Sequence, residues 1–179
     1  PNIFSPVHII FLELIMGPTC SVIFENEPME KNTMFQKPRP FTTKFFNFKE
    51  LMVSVFQGLG ITVGTLLGYQ FAVHNGFDEA HTRTIVFVVM ITANIFLTLV
   101  NRSFYYSIFT TLRYKNNLIS LIIGITIVIT GLILFIPAFS TFFEFKILAF
   151  NQLLAPIGIG FVSVIWYEFV KIRTRSVIK

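Results

Sequence analysis

The sequence predicts an all-α integral membrane protein, a bundle of five transmembrane helices, and three observations carry that prediction. Of its 179 residues 54% are hydrophobic and only 13% are charged, against about 25% charge in an ordinary soluble domain. Mean hydropathy is +0.72, and 23 residues are Phe, whose ring can face lipid at no cost. The third observation is length. About 20 apolar residues, rising 1.5 Å each, cross the hydrocarbon core, and five stretches of the chain pass that test. Because lipid cannot satisfy exposed backbone N–H and C=O groups, such continuous runs must be helices.

The first helix is expected over Pro6 to Phe24, and its one charge is Glu13. A carboxylate at bilayer depth is costly, so such residues usually face a bundle interior and mark an ion path. Positions 13 and 17 lie one turn apart on one face. Gly17-Pro18 removes side-chain bulk there, and because Pro18 offers no amide proton to the turn before it, the pair interrupts the helix and frees a carbonyl. An acid beside an interrupted helix is how membrane proteins build cation sites from carboxylate and backbone oxygens. The competing reading is a carboxylate kept protonated by burial, or paired with a basic residue of another helix. His8, near the start of this helix, reads as a satisfied interfacial side chain, and the single cysteine, Cys20, as a small apolar helix residue with no internal disulfide to form.

The second helix is expected over Leu51 to Val73, where Gly60, Gly64 and Gly68 recur every fourth residue. Small residues at that spacing let two membrane helices approach closely. His74-Asn75-Gly76 then closes a short turn. In the third helix, Thr84 to Val100, Asn94 is the one amide at mid-depth; it is equally an oxygen donor to an ion and polar glue between helices, the latter worth about 1 kcal/mol. The fourth and fifth helices are expected over Leu118 to Pro137 and Leu153 to Val170, with Glu168 near enough to the end of the last to pair with Lys171 or water.

Two longer connections, 25–49 and 101–117, carry the charge. Pro28, Pro38 and Pro40 stiffen the first. In the second, Phe104, Tyr105, Tyr106, Phe109 and Tyr114 beside Arg102, Arg113 and Lys115 read as an aromatic belt at headgroup level. Counting Lys and Arg by connection separates the two sides: Lys31, Lys37, Arg39, Lys44, Lys49, Arg102, Arg113, Lys115, Lys171, Arg173, Arg175 and Lys179 fall in one alternating set, and Arg83 and Lys146 in the other. By the positive-inside rule the first set is cytoplasmic, so the chain enters from outside and ends inside. Opening on Pro1 with no initiator Met and no signal-peptide pattern, it is expected to follow further helices of a longer protein.

The net charge of +5 falls between apolar runs rather than on a groove-reading element, so nucleic acid is not an expected partner; the lipid bilayer is. There is no Gly-rich phosphate loop, no Ser/His/Asp arrangement, no metal-type Cys/His cluster and no redox dithiol. What remains is binding and passing an ion, or, in a different class, a stand-alone five-helix channel-like or structural protein in which Glu13 is simply paired. An upstream DKTGT motif separates the two.

The first 40 residues, read as a unit, resemble the stretch of calcium-type P-type ATPases that runs from the sixth transmembrane helix into the following cytoplasmic loop. The resemblance is carried by Pro6, by ELIMGP over 13–18, by Glu27-Pro28, and by Met34 and Lys37-Pro38-Arg39-Pro40, where the family shows Asn-x-x-x-Asp-Gly-Pro, then Glu-Pro, then Met and Pro-Pro-Arg. TRTIVFVVMITANIFLTLVNRS is similar to the eighth helix and its exit, so the five helices correspond to the sixth to tenth of a ten-helix transmembrane domain.

On that resemblance Glu13 stands where calcium pumps place a ligand Asn and sodium/potassium pumps an acid, while Gly17 stands where the key Asp of the sixth helix belongs. Asn94 matches an eighth-helix position where some calcium pumps use an acid or amide ligand. The resemblance implies Glu13 and Asn94 as ligands of the transported cation, and calcium as that cation. The departure at Gly17 keeps sodium, magnesium, manganese and proton pumps in play. The glycine stripe corresponds to the seventh-helix surface that packs on the fifth.

ATP and Mg2+ are implied for the full-length pump, whose cytoplasmic domain is phosphorylated on the Asp of DKTGT; no cofactor is implied within this stretch. Lacking the phosphorylation and nucleotide-binding domains, it should be inactive alone. Its implied partners are the preceding helices and cytoplasmic domains of the same pump, coupled through the loop 25–49. Its implied location is the plasma membrane.

Overall fold

A computed structural model describes residues 3–29, 34, 48–103, 106–113 and 116–178. The described residues form helices and connections: α1 Pro6–Glu25, α2 Phe48–His74, α3 Glu79–Val100, a short α4 Ile108–Thr111, α5 Asn117–Phe135, a short α6 Pro137–Phe142 and α7 Phe150–Ile178. Five of them, α1, α2, α3, α5 and α7, are long and apolar enough to cross a membrane. The Lys37-Pro38-Arg39-Pro40 motif, and Phe104, Tyr105, Tyr114 and Lys115 of the expected aromatic belt, lie outside the described residues.

Local chemistry sets the boundaries. Pro6 opens α1 at a first-turn position, where a missing N–H costs nothing. α2 ends in a full Schellman motif: Gly76, at φ +69, donates to the Val73 carbonyl, and Phe77 donates to that of Ala72. Asp78 then caps α3, its carboxylate accepting from the His81 amide at 2.9 Å. That cap starts α3 at Glu79, one turn before the apolar run begins, so Arg83 lies inside a helix rather than in a turn.

α5 stops at Phe135, short of Pro137. The residue before a proline is driven out of the helical region, and Ile136 is extended at φ −88, ψ 118, while Pro137 starts α6. One expectation is corrected outright. α1 is not interrupted at Gly17-Pro18 but runs as one helix through both. Pro18 still supplies no amide proton to Leu14, and the flanking turns carry the helix across the gap, as they do for prolines in other membrane helices.

α3 is the axis of the bundle. Sixty-seven per cent of its apolar span is buried inside the protein, against 17% to 33% in the other four spans. It packs on α2 and α7 through bare backbone. A Cβ on Gly68 of α2 would fall 2.8 Å from Val89 of α3, and one on Gly160 of α7 would fall 2.8 Å from the Val89 carbonyl and 2.9 Å from Thr92 Cβ. The α2–α7 contact closes the triangle, since a Cβ on Gly60 or Gly64 would fall 2.7 Å from Ser163 O or 2.6 Å from Ser163 Cβ.

Within residues 1–179 the glycine stripe is used as a close-packing surface whose partners are α7 and α3. α1 and α5 lie against α3 on its other side, where Leu12, Ile85, Phe87, Ile91, Ile133 and Phe143 belong to one buried apolar cluster.

Candidate functional site

Glu13 lies near the middle of α1 and is exposed, as are Ile9, Ile10, Leu14 and Gly17 around it. The opposite face of the helix, with His8, Leu12 and Ile23, is buried against the rest of the chain. Among the described residues no group pairs with Glu13, and a Cβ on Gly17 would meet nothing within 4 Å. The carboxylate and the bare glycine one turn on therefore share an open face. In a bilayer such a face cannot point at lipid, because the charge has nothing there to replace its water.

Asn94 is placed differently. It is half-buried on α3, its amide Nδ2 donates to the Met90 carbonyl at 2.9 Å, and its own carbonyl accepts from Thr98 Oγ1 at 2.9 Å. With Ile15, Met16, Thr98 and Thr126 it lines a crevice of about 10 Å³ between α1, α3 and α5, about the least that admits one water. Asn94 therefore reaches α1 at Ile15 and Met16, on a different face from Glu13. The structure brings the two onto neighbouring helices without bringing them into contact.

Among the described residues no group of three His, Cys, Asp or Glu side chains is arranged to hold a metal ion. An open groove of about 890 Å³ between α2 and α7 has Leu59, Val63, Leu154 and Val162 among its walls. Apolar walls of this kind cannot replace the oxygen shell of a hard cation.

The remaining polar groups hold the fold at its two ends. At the end that carries Pro6, His8 is buried at 1% exposure: its Nδ1 accepts from the Ser5 amide at 3.0 Å, which leaves Nε2 to donate to the Phe143 carbonyl at 2.6 Å. Arg83 is buried as well. Its Nε donates to Ile3 O at 2.7 Å, its Nη1 to Glu144 Oε2 at 2.6 Å and its Nη2 to Glu79 Oε1 at 3.1 Å. Lys146 Nζ lies 2.8 Å from Asp78 Oδ2. That ammonium, followed by the His81 amide and ring, holds the Asp78 carboxyl well below the usual carboxylate range.

At the other end, Lys171 donates to Glu168 at 2.7 Å, both buried, as the position of Glu168 suggested. Arg102, beside the expected aromatic belt, has a side chain that is 2% exposed and grips Glu27. Phe109 of the same connection is exposed. The Glu79/Arg83 spacing of four, a helical ion-pair signal, was a second sequence cue to the polar networks.

The sequence matches the family described as "Cation transporting ATPase, C-terminus" over residues 1–173. It is also similar to Calcium-transporting ATPase 1 of Yarrowia lipolytica (strain CLIB 122 / E 150), at 23% identity over 165 residues, 92% of this chain and 18% of that protein. The chain thus spans less than a fifth of the length of that relative.

Proposed function

The chain belongs to the family of C-terminal membrane regions of cation-transporting P-type ATPases, and from that membership we propose that it supplies one wall of the ion path of an ATP-driven pump, with Glu13 as a ligand of the transported cation. The observation that carries this reading is the open Glu13 face of α1. A mid-span carboxylate with an unbranched glycine one turn away offers an anionic oxygen and clearance beside it, on the side where preceding helices of the pump would seat. Continuous burial of that face by those helices supplies the further oxygens that a cation needs. Asn94 contributes its amide oxygen from α3, approaching α1 from the Ile15 and Met16 side.

Calcium is the proposed cargo. The name of the yeast relative and the loop motifs support it, and a carboxylate oxygen is a hard ligand suited to a hard cation. ATP and Mg2+ act in the cytoplasmic domains, outside this stretch, and the connection 25–49 relays their movement to the helices. The distribution of Lys and Arg supports an orientation with the C-terminus cytoplasmic, in the plasma membrane. By itself the stretch has no phosphorylation site and turns over no ATP.

In the full-length protein, calcium, manganese, magnesium and sodium are compared as activators of phosphoenzyme formation from ATP. Calcium gives the strongest stimulation in the wild type, and Glu13→Ala abolishes it. Wild-type ion affinity in Glu13→Ala would remove Glu13 from the ligand set.

A further inference from the structure

Three consecutive residues at the basic end of α3 tie it to every other long helix. The Val100 carbonyl accepts from Lys171 Nζ of α7 at 2.6 Å. Asn101 and Gln57 of α2 exchange two amide hydrogen bonds, at 2.8 and 3.1 Å. Arg102 holds Glu27, two residues beyond α1: its Nε lies 3.2 Å from both carboxylate oxygens and its Nη2 2.9 Å from Oε1. Asn116, the N-cap of α5, donates to Glu27 Oε2 at 3.1 Å and to the Asn26 carbonyl at 3.3 Å. The α1 attachment differs from the others in what it carries, for α1 is the helix that bears Glu13.

We propose that Arg102 is a positioning residue for the cation site: acting through Glu27, it fixes the height and rotation of α1, and so the place of the Glu13 carboxylate against α3. This rests on the reading of Glu13 as a cation ligand. Glu13 stands about 18 Å from the end of α1 at 1.5 Å per residue, and a continuous helix transmits both a shift and a turn over that length. Within residues 1–179 α1 packs along one face, that of His8, Leu12 and Ile23. Its ends supply the rest: the His8 bond to Phe143 O at one, the Arg102–Glu27 clamp at the other.

The chemistry of the clamp suits the task. A guanidinium that meets both oxygens of a carboxylate sets direction as well as distance, whereas a lysine would act as a point charge. With the Arg102 side chain 2% and Glu27 12% exposed, little water is at hand to replace either partner.

The test uses the full-length pump in membranes, with the calcium concentration that gives half-maximal phosphoenzyme as the readout. Arg102→Lys and Arg102→Ala raise it about tenfold or more, the scale on which groups that orient metal ligands act, and the exchanged pair Glu27→Arg with Arg102→Glu returns it toward wild type. Should Arg102→Ala fail to reach the membrane, Arg102→Lys carries the test, because it keeps the charge and loses only the fork. A structural role alone lowers the amount of phosphoenzyme and leaves the half-maximal concentration in place; that result, or an exchanged pair no better than the single variants, overturns the inference. A wild-type protein that none of calcium, manganese, magnesium and sodium stimulates overturns the pump reading, and this inference with it.

Discussion

α2, α3 and α7 meet as bare backbone, whereas α1 touches its neighbours along one face and is fastened at its ends. In the first region Gly60, Gly64, Gly68 and Gly160 stand where any Cβ would collide with the next helix. In the second, Gly17 has open space beside it, and the polar grips are His8 on Phe143 O and Arg102 on Glu27. The same residue type does opposite things: glycine in the triangle removes freedom, and glycine beside Glu13 leaves room. A transport site needs the second arrangement, because ligands that bind and release a cation must adjust while the frame around them stays fixed. α1 has 20% of its span buried inside the protein, against 67% in α3, the axis of the triangle.

The contrast can be broken first at its polar lock. Lys171→Ala takes the ammonium away from the buried Glu168 carboxylate, which keeps the Ile108 amide at 3.2 Å. Losing one partner of a buried pair costs about 3–5 kcal/mol, so the detergent-purified protein should unfold at a markedly lower temperature. Next, Gly160→Leu forces a side chain against the Val89 carbonyl and the Ala93 amide. Backbone cannot step aside as a side chain can, and overpacking of this kind costs about 1–3 kcal/mol. A thermal midpoint unchanged in Gly160→Leu would show that the triangle is not closely packed.

Gly17→Ala should do the reverse in a chain bounded at residues 1–179. A Cβ there meets nothing, and an interior helical glycine gives up roughly 0.5–1 kcal/mol relative to alanine. The midpoint should rise slightly, and a fall in the same variant of the full-length protein would mark a preceding helix seated on that face.

The smallest effect is at the Asp78 cap. Its carboxyl is held down by Lys146, then by the His81 amide. A depressed carboxylate contributes stability that is fully present above the unfolded value of about 3.9 and lost as pH falls through the folded one. Melting curves should therefore be flat in pH above about 4 and decline below it, and Asp78→Asn should lower stability at neutral pH while flattening the acid decline.

The spans were legible because membrane burial writes itself as length and apolarity, and both are properties of the sequence alone. Gly76 was legible as a turn because glycine enters the positive-φ region readily, whereas Pro137, expected at the end of the fourth span, opens α6. What the sequence hid was partnership. The glycine stripe announces close approach but not that Ser163 of α7 and Val89 of α3 are neighbours within the chain. Arg102 stands beside the expected aromatic belt, and its partner, Glu27, lies 75 residues away in the chain. Arg83 was counted in a turn since the apolar run starts after it, although the Asp78 cap begins α3 before it. Of the candidate site, Glu13 was conspicuous as a lone charge, and Asn94 as a lone amide. Their placement on different faces of neighbouring helices follows from packing that periodicity does not encode.

The account stands on Glu13 being a ligand rather than a passive charge, and equilibrium binding of radioactive calcium to membranes that hold the full-length protein tests this most directly. Saturable binding in the wild type should weaken in Glu13→Gln by about tenfold or more, since affinity at hard-cation sites follows the count of ligand charges. Binding curves that superimpose for the two proteins would contradict it.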